Sequence, residues 1–346
     1  MSITRCINCL FMSLVFTGCI VPVGAAQLDW PTGLPVYDHV LVVVEENKGY
    51  DQIIANPAAI YINDVLRREG ANFTQFYAEE HYSEGNYFWL FSGDNQGVGY
   101  LDRIPSATSR ADYPFREDNL GQQLIAKGLS FKGYSESLPR IGFGGDRHGL
   151  YARKHVPWIS FANVPNGASD ANSVNLRFAD FPADPLQYAS LPTVAFVIPN
   201  QANDMHNGSS DKSIPAGDAW LRKFIDPYYQ WAKQHNSLLI LTFDESDDKA
   251  GSYGLTNPGI DVHACATPGR EREYCRERQN RIVTIFAGAH IKPGDYPEGR
   301  GITHVNILRT LEAMYGLPKA GHQQPRAAAA GISDDYIITD VFDTRR

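Results

Sequence analysis

The sequence predicts an α/β fold: a mostly parallel central sheet flanked by helices, with a loop-rich insertion. Three observations carry this expectation. Short apolar runs rich in Val, Ile, Leu and Phe recur at 39–44, 193–198, 237–243 and 282–287. They are too continuous for strands with one wet face and suit strands buried on both. Segments of helical period lie between and after them, at 58–69, 119–127, 218–234 and 305–315. Several runs also end abruptly in charged or amide side chains. In open α/β sheets, ligands gather beyond the carboxyl ends of the strands.

The 346 residues carry a net charge of −8, with 43% hydrophobic and 20% charged residues. That balance argues against a nucleic-acid or anionic-membrane surface, both of which want basic patches. An anionic substrate stays compatible, because a bound metal supplies local positive charge. Residues 1–26 read as a secretory signal: Arg5, an apolar segment from Cys6 to Val23, and a small-residue cleavage site at Gly24-Ala25-Ala26. A single domain over 27–346 in the periplasm or the medium is expected, with lipid anchoring through Cys19 as the variant reading. Of five cysteines, Cys265 and Cys275 lie beyond the signal. A disulfide between them is expected rather than a metal site, since no further thiols are present to complete one.

In chain order, Asp38 to Val44 is the opening strand, ending at Glu45-Glu46-Asn47-Lys48. Glu46 and Asn47 offer hard oxygen ligands to a divalent cation, though a polar loop would look the same. Ala58 to Glu69 is a helix stopped by Gly70, and Asn72 to Tyr77 a second strand. Ser83 opens the helix carrying Tyr87 to Phe91. A serine there serves equally as N-cap and as a nucleophile in a phosphate-binding position. A short helix over 119–127 and a strand over 129–134 follow, then the insertion at 142–175 with His148, Lys154, His155 and Trp158. The strand Thr193 to Ile198 ends in a polar turn holding Asp204 and His206. Ser237 to Phe243 ends at Asp244-Glu245, adjacent carboxylates that form either a solvated loop or a site neutralised by a cation. Thr303-His304 opens the helix 305–315, stopped by Gly316, and 336–342 reads as an edge strand.

Strand ends carrying carboxylates, a hydroxyl and a histidine are the parts needed for phosphoryl transfer through a phosphoserine. At Glu45-Glu46-Asn47-Lys48, His81-x-Ser83-x-x-Asn86-Tyr87, Pro199-Asn200 with Asn203-Asp204-Met205-His206, and Thr242-Phe243-Asp244-Glu245, the chain resembles the phosphoesterase family of bacterial acid phosphatases and phospholipases C. Tyr151 to Pro157, and Thr303-His304 with Leu308 to Glu312 and Gly316-Leu317, extend the resemblance from about His39 to Leu317.

The resemblance implies an alkaline-phosphatase-like fold and one divalent metal ion held by Glu46, Asn47, Asp244 and Glu245. Ser83 would be the nucleophile and His206 the general acid. His81 and His304 would contact or orient phosphate, and Asn86 would donate to a phosphate oxygen. Tyr82 and Gly85 stand where many relatives carry proline. The expected substrate is a phosphate-ester small molecule or a lipid head group. An acid phosphatase leads, and a phospholipase C or a phosphoinositide phosphatase is the alternative within hydrolases. A non-catalytic secreted binding protein is the alternative of another class; it would be expected to lack Ser83 or a carboxylate ligand, and all are present.

Overall fold

Val40 to Val44 are each at most 1% exposed, as a strand with neighbours on both edges and both faces requires. They form the centre of β1 (His39–Glu45). The structure is a computed structural model that describes residues 30–98, 102, 104–247, 280–297, 302–321 and 336–345. The signal segment 1–26, Cys19 and the Cys265–Cys275 pair lie outside the described residues.

After β1 come α1 (Tyr50–Ile53), a π-helical stretch Ile62–Arg67, and β2 (Ala71–Phe73) and β3 (Phe76–Tyr77). Next are α2 (Ser83–Ser92), α3 (Leu120–Ala126) and β4 (Phe131–Ser135). The hairpin β5 (Arg147–His148) and β6 (Tyr151–Ala152) precedes β7 (Asn175–Arg177) and β8 (Val194–Ile198). The chain continues through α4 (Ser210–Phe224), α5 (Asp226–Ala232), β9 (Ser237–Phe243) and β10 (Thr284–Gly288). It closes with β11 (Gly294–Tyr296), β12 (Ile302–Thr303) and α6 (His304–Tyr315).

Eight strands make the main sheet in the order β11-β2-β10-β9-β1-β8-β4-β7. The core from β9 to β7 is parallel throughout. β10 runs antiparallel to both β9 and β2, and β11 runs parallel to β2. The mostly parallel sheet expected from the apolar runs is therefore present. Among the described residues, no helix is long and apolar enough to cross a membrane.

Three expectations need correction. The strand expected over 72–77 is two short strands, and β3 leaves the main sheet to pair with β12. The helix expected over 218–234 begins at Ser210 and is two helices broken at Ile225, with Pro227 in the first turn of α5, where proline is tolerated. Where 336–342 was expected to form a strand, the structure has one bridge, Ile291 to Phe342.

β1 and β9 pair in register from His39–Ser237 to Glu45–Phe243. The ladder runs one residue further, with the Asp244 N–H donating to the Glu45 carbonyl at 2.9 Å. The Glu46 N–H donates to the Asp204 carbonyl at 2.7 Å, tying in the turn after β8. All ten residues of α2 are buried, so this helix runs through the interior, and it packs against α6. Gly133 in β4 lies beneath the Trp158 indole, where an added Cβ would come within 2.1 Å of Cζ2. We expect Gly133→Ala to destabilise the fold by about 1–3 kcal/mol through overpacking, read as a lower urea midpoint at unchanged m-value.

Candidate active site

Ser83 is the first residue of α2, one position past the cap. The capping position belongs to Tyr82, which is held at φ 79°, in the left-handed region that non-glycine residues rarely occupy. The hydroxyl of Ser83 therefore does not cap the helix. Its Oγ lies 3.3 Å from Glu46 Oε2, 3.5 Å from Glu245 Oε1 and 3.2 Å from Lys154 Nζ. A serine at a helix N-terminus sits in the positive end of the dipole, where an oxyanion is favoured.

The structure brings the four expected metal-ligand residues together at the carboxyl ends of β1 and β9. The Asn47 N–H donates to Asp244 Oδ1 at 3.0 Å, and Asn47 Nδ2 lies 3.4 Å from Glu245 Oε1. Glu245 also accepts from the Tyr82 N–H at 2.8 Å and lies 3.1 Å from His81 Nδ1. Two further residues join them. Oxygen or nitrogen atoms of Glu46, His155 and Asp204 all fall within 4.8 Å of one another, and all three residues are buried. Tyr87 donates its hydroxyl to Glu46 Oε1 at 2.6 Å and stacks on the His155 ring at 5.2 Å.

Burial raises the pKa of Glu46, Asp204, Asp244 and Glu245, since it penalises the charged form. It pushes Asp244 up to about 7, with Glu245 adding to the effect, and Glu245 up to about 8. Glu46 and Asp204 are raised by burial and by each other's charge or that of Asp244. Burial, then the Lys154 and His206 charges, pushes His155 well below the ordinary imidazole range. His155 is therefore neutral, the form in which imidazole ligates metals. Burial also opposes the charge on Lys154, but Glu46 and Asp102 outweigh it and hold its pKa above the usual value. Asp102 Oδ2 accepts from Lys154 Nζ at 2.7 Å.

The residues present fit a divalent cation. Asn47 Oδ1, Asp204 Oδ2 and Asp244 Oδ2 are buried without a hydrogen-bond partner among the described residues, which is costly unless an ion takes them. Glu46, Asn47, Asp204, Asp244 and His155 supply a hard oxygen set with one imidazole. Asp204 stood in a quoted motif and Lys154 and His155 in the insertion, but neither periodicity nor spacing singled them out. Asp102 left no signal in its polar connection.

Two expected substrate contacts are placed differently. Asn86 gives its amide to the Glu80 backbone, accepting from the N–H at 2.9 Å and donating to the carbonyl at 2.7 Å. It thus clamps the loop ahead of Ser83. His304 has Nδ1 2.7 Å from Glu79 Oε2 and Nε2 2.7 Å from the Phe243 carbonyl. Both ring nitrogens are engaged inside the protein, which leaves none for a phosphate oxygen. Burial opposes its charge, but Glu79 and that carbonyl raise its pKa. His206 is half-buried at the rim, its N–H donating to Asp204 Oδ1 at 2.8 Å and its Nδ1 3.0 Å from Asn207 Oδ1.

The sequence profile of the Phosphoesterase family matches residues 55–318. The chain belongs to the phosphoesterase family. It is 40% identical over 307 residues to a phosphatidylinositol-3-phosphatase of Mycobacterium tuberculosis, covering 89% of this chain and 85% of that protein. A phosphate-repressible acid phosphatase of Penicillium chrysogenum is 28% identical over 300 residues, 82% of this chain. A probable acid phosphatase of Kluyveromyces lactis is 30% identical over 297 residues, also 82% of this chain. The chain spans 60% of the length of each fungal enzyme. Among solved structures, an alkaline-phosphatase-superfamily protein of Vibrio parahaemolyticus aligns at TM-score 0.53 and 11% identity, over 82% of this chain and 67% of that one. That likeness concerns the fold alone. The chain is thus a hydrolase of phosphoric ester bonds in the alkaline-phosphatase-like fold.

In the ion-free phosphoesterase, ionisation of Asp244 and Glu245 opposes folding, because their folded-state pKa values lie above the unfolded ones. Their contribution to stability is full below the ordinary carboxylate range and is lost as pH rises through about 7 and 8. We expect the Tm of chelator-treated protein to fall from about pH 4 to about pH 8 and then to level, and added divalent ion to restore it most at the alkaline end.

Proposed function

We propose that the chain is an exported, metal-dependent acid phosphatase that hydrolyses phosphate monoesters through a phosphoserine on Ser83. One observation carries this: the Ser83 hydroxyl stands at the N-terminus of α2 against Lys154 Nζ at 3.2 Å and beside a buried carboxylate cluster. A divalent ion held by Glu46, Asn47, Asp204, Asp244 and His155, with Glu245 alongside, would polarise phosphoryl oxygens and lower the pKa of the serine hydroxyl.

The protein's own groups do the rest. Lys154 donates to Ser83 Oγ and stabilises negative charge there as the hydroxyl passes its proton to Glu245 Oε1, 3.5 Å away. Glu245 accepts from the Tyr82 N–H and so fixes the strained turn that aims Ser83. Ser83 Oγ forms a bond to phosphorus as the ester P–O bond breaks, and His206 at the rim gives a proton to the departing alkoxide. Water then attacks the phosphoserine, releasing phosphate and returning the serine. Export rests on the signal-like residues 1–26, with processing at Ala26 or anchoring at Cys19. The relative of 40% identity named as a phosphatidylinositol-3-phosphatase favours a second reading, in which the monoester sits on an inositol lipid.

Ser83→Ala is expected to lower kcat on p-nitrophenyl phosphate by roughly 10³-fold or more, and Lys154→Met by about 10²- to 10³-fold. A chelator should abolish wild-type turnover. Full activity in Ser83→Ala would sink the mechanism, and preferential hydrolysis of p-nitrophenyl phosphocholine would move the assignment to a phosphodiesterase.

A further inference from the structure

Next to Ser83 lies an open cavity of about 560 Å³ whose walls include Asp102, Ile104, Asp146, Arg147, Ala152 and Lys154. Lys154 joins it to the reaction centre, since its Nζ reaches Ser83 Oγ at 3.2 Å. The cavity and the surroundings of Ser83 thus share a wall at Lys154.

The charges around the cavity are matched in pairs, with one exception. Lys154 is taken by Asp102 at 2.7 Å. Asp146 is taken by Arg153 at 3.1 Å, and the Arg153 guanidinium also donates to the Tyr113 hydroxyl and, at 3.3 Å, to the Pro105 carbonyl. Arg147 has no hydrogen-bonding or ion-pair partner for its side chain among the described residues. Among the described residues, Arg147 is thus the charged residue of the cavity wall whose side chain has no partner.

The platform under Arg147 is well anchored. Its Cα partner across the hairpin is Ala152, the next residue is the buried Arg153, and the Arg153 N–H donates to the Asp146 carbonyl at 3.0 Å. The same hairpin thus presents Arg147 on the cavity wall and leads directly into Lys154.

We propose that Arg147 is a specificity-determining residue that binds a second anionic group on the substrate, so that the preferred substrates are phosphate monoesters bearing another phosphate on the leaving group. A guanidinium fork binds phosphate oxygens in two parallel charge-assisted hydrogen bonds. The inference rests on the monoesterase reading above and narrows its substrate class. The second anion has two sources, a soluble bisphosphate or the diester phosphate of a lipid headgroup. Because the contact is remote from the reacting bond and made equally in ground and transition states, it acts on KM rather than kcat.

The test measures kcat and KM for wild type, Arg147→Gln and Arg147→Lys on two matched pairs. One pair is glucose 6-phosphate and glucose 1,6-bisphosphate. The other is dibutanoyl phosphatidic acid and dibutanoyl phosphatidylinositol 3-phosphate. In wild type, kcat/KM is expected to favour the two-anion member of at least one pair. Arg147→Gln should reduce that preference about tenfold or more through KM, and Arg147→Lys should keep part of it. A loss seen in both pairs assigns any second phosphate, and a loss confined to the lipids assigns the headgroup. A wild-type preference near one, or an equal drop on all four substrates in Arg147→Gln, overturns the proposal. Wild type without turnover of any monoester refutes the phosphatase reading itself.

Discussion

The parallel register of β8, β1 and β9 is the constraint on which the rest of the molecule depends. Glu45 stands opposite Phe243, so the next residues on the two strands, Glu46 and Asp244, emerge at one level. The Glu46 N–H then catches the Asp204 carbonyl and brings the turn after β8 to the same place. Three carboxylates from distant parts of the chain become neighbours through backbone pairing alone. A slip of one residue in this ladder would turn Glu46 to the opposite face and scatter the set.

Such a gathering is electrostatically unfavourable without counter-charges, and the surrounding residues are arranged to lessen the cost. Tyr87 donates to Glu46 from within α2, Lys154 supplies a positive charge from the 3₁₀ turn after β6, and His155 sits beside them as a neutral ring. Beneath, His304 and the Val305 N–H both hold Glu79, at 2.7 and 2.9 Å. That contact fastens the start of α6 to the loop leading into Ser83. The loop is fixed again by Asn86 and by Asn280, whose amide donates to the Glu80 carbonyl at 2.7 Å. A strained backbone at Tyr82 persists only where its surroundings over-determine it, and these contacts do so.

Much of this was legible in the sequence because it depends on local pattern. Buried parallel strands write themselves as continuous apolar runs, and the carboxylates at their ends follow directly; Glu46, Asn47, Asp244 and Glu245 came from that. Lys154, His155 and Asp102 reach the site through loops whose path is set by tertiary contacts such as Arg153 with Tyr113 and Pro105, and no periodicity marks them. Asn86 and His304 show the opposite failure. Each sits close to the chemistry in space, but the Glu80 backbone or Glu79 occupies its polar atoms. The split of the helix expected over 218–234 was readable, since Pro227 stands at the break.

Gly85, two residues past Ser83, has a structural counterpart. A Cβ there would come within 2.5 Å of Glu80 Oε2, and that carboxylate accepts from the Trp89 indole N–H at 2.8 Å and from the Asn95 amide. The glycine and the acid thus form one interlocked unit. Neither position is free to change by itself: a bulkier residue at 85 demands a shorter one at 80, and a shorter one at 80 strands two donors in the interior. A change in the loop beside Ser83 therefore has to be made at both positions together.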